Sequence, residues 1–466
     1  MAGSALLAGV RVPVPGFEFG LTTGELVDRI GTESTRLHGR NQVSILKYIF
    51  ENDRRALIFI YLMALLFRVA IIVAVAWNRG VHFENAQIAE YIVSGQGYVW
   101  DWYKSIPPQP TAILPPIYTY FLAFFMAVFA NPARWIYLAQ AILTSLGIIP
   151  SFYLGKFLVD RKTGIIVAGL FALFPEMAYA PTKMISEPLA LPLVILAIVL
   201  YLKTKERLES SMKTGGFFWL GLFLGVCALV KMTMSFILLS CVLGILLTRG
   251  ISRLSLRSIV LMGIGFVIAV SPWSIRNTLV FDRFVPFRTM YGFNLWRGNH
   301  PGATGTPRID PQNSVESALD PRYQKYIEDN HPQTELELDR FYYEEAVRFI
   351  RENPAEFAWL TLKRIVYFIT FDPTHPVTRN VVYLGGHLFL LIFGFWGAIL
   401  LRKEKNLDNI FIVIPLVALF FYAPVVMLPR YRLFFTMVLL LLSAIPIGKV
   451  FLKGRRLEFL NEPSTR

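Results

Sequence analysis

Apolar residues in this chain come in long unbroken runs. A helix that crosses a bilayer needs ~20 mostly apolar residues. Ten runs meet or approach that length: 56–77, 135–158, 164–181, 188–202, 217–231, 233–248, 258–275, 380–401, 410–428 and 433–452. Two further apolar runs, 113–130 and 357–371, carry features that argue against a crossing. Pro115-Pro116 opens the first, and Lys363-Arg364 interrupts the second. Each reads as a partly immersed helix of an outer loop, lying in the interface.

Lys and Arg in short loops set the orientation of such a bundle. With 113–130 not crossing, Arg54-Arg55, Arg161-Lys162, the Lys203–Lys213 stretch, the Arg249–Arg257 stretch, Arg402-Lys403 and Lys453–Arg456 all fall inside. Both termini are then cytoplasmic, in an inner cell membrane. Segment 1–55 is a cytoplasmic lead-in, and Ala5–Val10 is too short for the core of a signal peptide. Residues 56–275 form a transmembrane module with its first outer loop at 78–134. Region 276–379, rich in Pro, Gly, Asn and Asp, is a small extracytoplasmic cap whose best helix is Leu336–Arg351. Segment 380–452 returns through the membrane, and 453–466 is a tail. The expected fold class is an all-α polytopic membrane protein of about ten spans, with two partly immersed outer helices and a cap.

Composition agrees. The 466 residues are 55% hydrophobic and only 17% charged, against ~25% charge in soluble domains. One soluble core cannot bury that much apolar surface. The net charge of +14 follows from basic inner loops, so nucleic acid is not an expected partner. Cys227 and Cys241 lie in apolar runs and make neither a zinc spacing nor a disulfide framework.

The informative charges are those on the outer side, because ionisable groups at membrane depth are expensive and mark function. Glu84 follows the first span; a carboxylate there can act as a general base on a hydroxyl, or be an ordinary solvated loop acid. Lys183 and Glu187 share a short outer turn, Lys231 ends the fifth span, Arg276 ends the seventh, and Arg430 and Arg432 share the turn Pro429–Arg432. Each cation alone could snorkel to headgroups. As a set they suit a phosphate or pyrophosphate, Arg as a planar fork and Lys as a point charge. Arg68, inside the first span, is either a partner for a carboxylate or a polar packing contact. No GxxxxGK[ST] loop, no HExxH motif and no paired-Asp motif in the first outer loop is present.

Short motifs now line up. Glu84 to Gly95-Gln96-Gly97-Tyr98 is followed by Pro110-Thr111-Ala112-Ile113-Leu114-Pro115-Pro116-Ile117-Tyr118, Ser186-Glu187-Pro188 and Ala228-Leu229-Val230-Lys231. Pro272-Trp273 with Arg276-Asn277, Gly292–Asn299, Phe349–Pro354 and Arg430-Tyr431-Arg432 complete the series. In this order, from roughly 56 to 452, the chain resembles bacterial membrane glycosyltransferases of the GT-C superfamily, relatives of protein O-mannosyltransferase and aminoarabinose transferase. The resemblance implies a GT-C-like bundle and inverting transfer of a sugar from a polyprenyl-phosphate donor to a hydroxyl of a lipid, glycan or protein, at the extracytoplasmic face. It implies that Glu84 is the catalytic acid of the first outer loop. The family's common pattern has an Asp or an Asp-Glu pair there, whereas here Phe83 precedes a single Glu. It implies that Lys231, Arg430 and Arg432, with Arg276 and Lys183, hold the donor phosphate. Glu187 is expected to position substrate, Trp296 to stack on a sugar, and Asn299 to bond hydroxyls; for the last two, local loop packing is the alternative. No cofactor is expected; some branches use a divalent metal, but the lone acid favours a metal-independent mechanism. The rival readings are a transporter or flippase of a polyprenyl-linked glycan, weakened by the absence of an evident internal repeat, and a non-catalytic scaffold, which leaves the outer cations unexplained.

Overall fold

The computed structural model describes residues 48–81, 83–101, 107–308, 329, 334–403 and 407–451. The expected tail 453–466, and segment 1–55 up to residue 47, lie outside the described residues. Helices dominate; β1 (Val99–Trp100) and β2 (Gln109–Pro110) form a short antiparallel pair in the loop that follows the first long helix. The chain is an all-α polytopic integral membrane protein. Among the described residues seven helices are long and apolar enough to cross a bilayer, or eight if the bent pair Arg161–Leu173 and Pro175–Thr182 is one span. Two other expected spans are shorter apolar helices, Gly215–Val230 and Ile410–Tyr422. Every expected span therefore has its helix, while length and composition qualify only seven or eight as full crossings.

The helices used below are α1 (Asp53–Val75), α2 (Glu84–Val93), α3 (Pro116–Val128), α4 (Pro132–Ser145), α5 (Ile148–Leu158), α6 (Arg161–Leu173), α7 (Pro175–Tyr179), α8 (Glu187–Ser211), α9 (Gly215–Val230), α10 (Ser235–Arg249), α11 (Arg253–Phe281), α12 (Tyr291–Gly298), α13 (Glu335–Glu352), α14 (Pro354–Ile369), α15 (Val381–Lys403), α16 (Ile410–Tyr422) and α17 (Leu433–Pro446). Helix α11 runs on past the expected boundary at 275 to Phe281. The two runs read as non-crossing become α3, of only 13 residues, and α14. Helix α14 buries Leu360, Arg364 and Phe368 and exposes Trp359, Leu362, Val366 and Ile369, an apolar stripe suited to an interface.

Helix α17 is buried along its whole length and forms the centre of the bundle. Small residues let its neighbours come close, which is how helices associate where no water drives them together. A Cβ on Gly397 of α15 would lie 2.0 Å from the Leu442 carbonyl of α17. Likewise a Cβ on Gly221 of α9 would lie 1.9 Å from the Met262 carbonyl of α11.

The bend of 50° between α6 and α7 has a chemical cause. Pro175 has no N–H, so the Phe171 carbonyl four residues earlier loses its helical donor. Arg68 supplies the replacement: its guanidinium donates to Phe171 O at 3.1 Å and Ala172 O at 3.0 Å. Of the two readings for Arg68, the structure selects the packing contact.

Candidate functional site

The site forms where helix ends meet at one face of the bundle. Ser186-Glu187-Pro188 starts α8, with Pro188 in the first turn, where a missing N–H costs nothing. Glu187, as first residue, also sits at the positive end of the helix. Helix α9 stops at Lys231, whose backbone turns extended before the 3₁₀ segment Met232–Met234. The two side chains meet: Lys231 Nζ is 2.8 Å from Glu187 Oε1, with little exposure of either.

The 3₁₀ turn Pro429–Arg432 contributes a further cation. Arg430 interacts electrostatically with the carboxylates of both Glu187 and Glu84, yet its side chain stays exposed. That combination describes an accessible cation within electrostatic reach of two acids. Tyr431 beside it stacks on Tyr422, with ring centroids 4.3 Å apart and planes 7° from parallel, which fixes the turn.

Glu84 opens α2 and is exposed. The residue before it, Phe83, has φ 76°, the left-handed region that non-glycine residues rarely adopt. Such strain persists only where the surroundings enforce it. Here Asn85, buried, accepts a hydrogen bond of 3.0 Å from Thr119 Oγ1 of α3 and pins the start of α2.

A second group of charges adjoins the first. His375, in the loop after α14, has its proton affinity lowered to about 4 by burial and by Arg308, Lys183, Arg432 and Arg430 around it. The imidazole accepts a hydrogen bond from the Val377 amide at 3.2 Å, as a neutral ring does. Asp372 in the same loop is buried, and burial raises its carboxyl above the ordinary value, against the opposing pull of Thr374, Arg432 and Arg308. Its Oδ1 accepts from Thr374 N at 2.8 Å and Thr374 Oγ1 at 2.6 Å, while Oδ2 has no hydrogen-bond partner among the described residues. Arg308, Asp372 and His375 escaped the sequence reading. The signal available was Asp372-Pro373-Thr374-His375, an acid and an imidazole directly after an interface-type helix.

Six expected site residues thus gather at this face: Glu84, Lys183, Glu187, Lys231, Arg430 and Arg432. Arg432 is buried and spends its guanidinium on the Thr370 carbonyl, the Tyr383 hydroxyl and His387 Nε2. It anchors the turn and leaves Arg430 as the open fork. Lys183 Nζ lies 5.3 Å from the centre of the Tyr179 ring.

Three expected residues do other work. Arg276 donates to Thr111 O at 2.7 Å and Tyr98 O at 3.1 Å and lies over the rings of Tyr98 and Trp273. It ties α11 to the loop between α2 and α3, adding a second donor to the Tyr98 carbonyl, which also accepts from the Thr111 amide at 3.1 Å. Trp296 is buried against Phe293, Tyr342 and His300, so the cap core occupies the faces expected to stack on sugar. Asn299 is buried and donates to the carbonyls of Leu295, Pro424 and Val425, while its oxygen accepts from Arg364 at 2.9 Å. It joins the cap to the end of α16, and the alternative of local packing holds for both residues.

The cap is held by a buried acid. Glu335, at the start of α13, accepts from Thr111 Oγ1 at 2.7 Å, Ala112 N at 2.7 Å and Thr289 Oγ1 at 2.8 Å. Thus the Pro110-Thr111-Ala112 motif is a docking point for the cap helix. Among the described residues no three His, Cys, Asp or Glu side chains converge as a metal-binding group.

Residues 114–275 match the family described as dolichyl-phosphate-mannose-protein mannosyltransferase. That segment contains Pro115-Pro116, Ser186-Glu187-Pro188 and Lys231, and the match bears out the resemblance to GT-C membrane glycosyltransferases. Among solved structures, the chain is similar to the Archaeoglobus fulgidus oligosaccharyltransferase in complex with zinc and sulfate, at 15% identity and TM-score 0.49, over 86% of this chain and 50% of that one. The archaeal oligosaccharyltransferase AglB from the same organism, with an inhibitory peptide and a dolichol-phosphate, gives 15% identity and TM-score 0.46 over 85% and 50%. ArnT from Cupriavidus metallidurans, bound to undecaprenyl phosphate, gives 15% identity and TM-score 0.41 over 84% and 78%. The chain spans about half the length of the archaeal enzyme. No curated protein matches.

Proposed function

We propose that this protein transfers a sugar from a polyprenyl-phosphate-linked donor to a hydroxyl acceptor, with inversion, at the extracytoplasmic face. One observation carries the reading: the exposed Arg430 interacts electrostatically with both Glu84 and Glu187, and Glu187 is paired to Lys231 at 2.8 Å. A carboxylate facing a cationic pocket meets both demands of glycosyl transfer from a phosphate.

In the reaction the bond between the anomeric carbon and the phosphate oxygen breaks, and its electron pair stays on the phosphate. Arg430, with Lys231 and Lys183, offsets the charge that develops there. The acceptor oxygen attacks the opposite face of the sugar and forms the new carbon–oxygen bond. Glu84 takes the hydroxyl proton. Glu187 holds Lys231 until the donor phosphate competes for it. These residues supply base and charge stabilisation without calling on a metal. A site walled by apolar helices strengthens each charge interaction, because the effective dielectric is low. The match of residues 114–275 to a mannosyltransferase family supports the donor class, as do the dolichol-phosphate and undecaprenyl phosphate held by the similar proteins.

The test is Glu84→Gln in a reconstituted transfer assay with a polyprenyl-phosphate sugar. Removal of a general base lowers turnover by about 10²–10⁴-fold, while donor binding persists. Unchanged turnover removes Glu84 from the mechanism.

A further inference from the structure

The end of the bundle opposite Glu187 carries a second cationic feature. Helix α8 leads there: its 25 residues span about 37 Å at ~1.5 Å per residue. A cavity of about 430 Å³ lies at that end, lined by Thr204 and Arg207 of α8, Lys213, Thr214, Gly216 of α9 and Arg257 of α11. Arg207, Lys213 and Arg257 are exposed, and none has an ion-pair partner among the described residues. The contrast is with Lys205, two residues from Arg207, which is paired to Asp408 at 2.6 Å.

Two helix starts reinforce the positive field. Helices α9 and α11 run parallel, Gly221 lying against Met262 and Gly225, one turn on, against Phe266, so both begin at the cavity end. Ser252 caps α11 through the Ser255 amide at 3.1 Å. Thr214 makes no side-chain cap bond to α9, which leaves the first amides of α9, at Gly215 and Gly216, for a ligand.

The surface leading away from the cavity is apolar. Met212 lines the cavity and is 66% exposed; Trp219, three residues beyond Gly216, is 68% exposed; Val260, three residues beyond Arg257, is 56% exposed. Ile264 continues that row along α11. Residues three and four apart share one helix face, so an anionic head group seated in the cavity has apolar surface directly beside it.

We propose that this cavity binds the phosphate of an anionic membrane lipid, with the acyl chains laid along Trp219, Val260 and Ile264. Arg207 and Arg257 fork the phosphate oxygens, Lys213 adds a point charge, and the open N–H groups of α9 donate to the remaining phosphate oxygens. This site is separate from the transfer reaction, so its test reads binding alone.

The experiment is native mass spectrometry of the full purified chain with phosphatidylglycerol, phosphatidylcholine or inorganic phosphate. Phosphatidylglycerol is retained under activation that strips phosphatidylcholine. Arg207→Gln combined with Arg257→Gln lowers that retention by about tenfold, while Arg257→Lys, which keeps the charge, loses less. If the double variant melts below the wild type, Lys213→Gln, at an exposed position, reads the same loss in a folded chain. Equal retention of the two lipids overturns the site, and so does undiminished retention in the folded variants. Displacement of phosphatidylglycerol by millimolar inorganic phosphate overturns the assignment to a lipid.

Discussion

Lys231 and Glu187 close an ion pair of 2.8 Å at the junction of two helix ends, one helix stopping at the lysine and the other starting at the glutamate. Neither side chain is well hydrated, so each depends on the other. Removing one partner of such a pair strands the other charge and costs ~3–5 kcal/mol, whereas removing both costs less. Lys231→Met alone is therefore expected to lower the melting temperature more than Lys231→Met with Glu187→Gln. Equal melting losses in the single and double variants would contradict the pairing.

Arg430 and Arg276 separate by function. Arg430→Gln removes an open fork facing two carboxylates and is expected to weaken binding of a polyprenyl-phosphate donor by about 10–100-fold, the worth of a charge-assisted bond, with little loss of stability. Arg276→Gln unties Thr111 and Tyr98 carbonyls and is expected to lower stability by ~1–3 kcal/mol, with donor affinity kept in the folded fraction. Isothermal titration beside thermal melts distinguishes the two.

The Arg68 contact predicts a rescue. Arg68→Met leaves the Phe171 and Ala172 carbonyls without a donor and is expected to cost ~2–4 kcal/mol. Pro175→Ala restores an N–H in the helical position for Phe171, so the double variant recovers part of the loss. A double-mutant cycle in melts reads the coupling; additive effects would refute it.

His375 sets a pH dependence of known sign. Its folded value of about 4 lies below the ordinary 6.5, so the unfolded chain takes up the proton first as pH falls. The stability it contributes is complete above about 6.5 and is lost as pH falls toward 4. His375→Asn is expected to flatten that part of the stability profile, measured by melts across the range. An unchanged slope would mean that another group titrates there.

Gly221 lies against the backbone of Met262. Gly221→Ala inserts a methyl where backbone cannot yield, and the expected cost is ~1–3 kcal/mol. By contrast, Gly263 on the open side of the same helix pair has nothing within 4 Å of an added Cβ, and Gly263→Ala is expected to be neutral or stabilising. Melts of the two variants compare them.

Much of the architecture was legible before any coordinates. The apolar runs that become α1, α8, α11 and α15 are local properties of length and side-chain type, and the membrane selects them one at a time. The doubled proline before α3 and the buried Arg364 of α14 likewise acted through their own segments. The candidate chemistry was partly legible, because a charge at the end of an apolar run is conspicuous: Glu84, Lys183, Glu187, Lys231, Arg430 and Arg432 all stand at one face. Arg308, Asp372 and His375 were not, since they lie in two separate loops whose composition resembles any other.

What the sequence determined by itself was which segments enter the membrane, and which charges are too costly there to be incidental. Only the tertiary structure decided the partners. Arg276 and Arg430 look alike as basic residues at helix ends, yet one is spent on loop carbonyls and the other stays open opposite two acids. Trp296 and Asn299 were drawn into the cap by α13, α14 and α16, elements far away in the chain. Hydrophobicity acts residue by residue, whereas the partner of a charge is fixed by whichever distant backbone or side chain packing brings within hydrogen-bond reach.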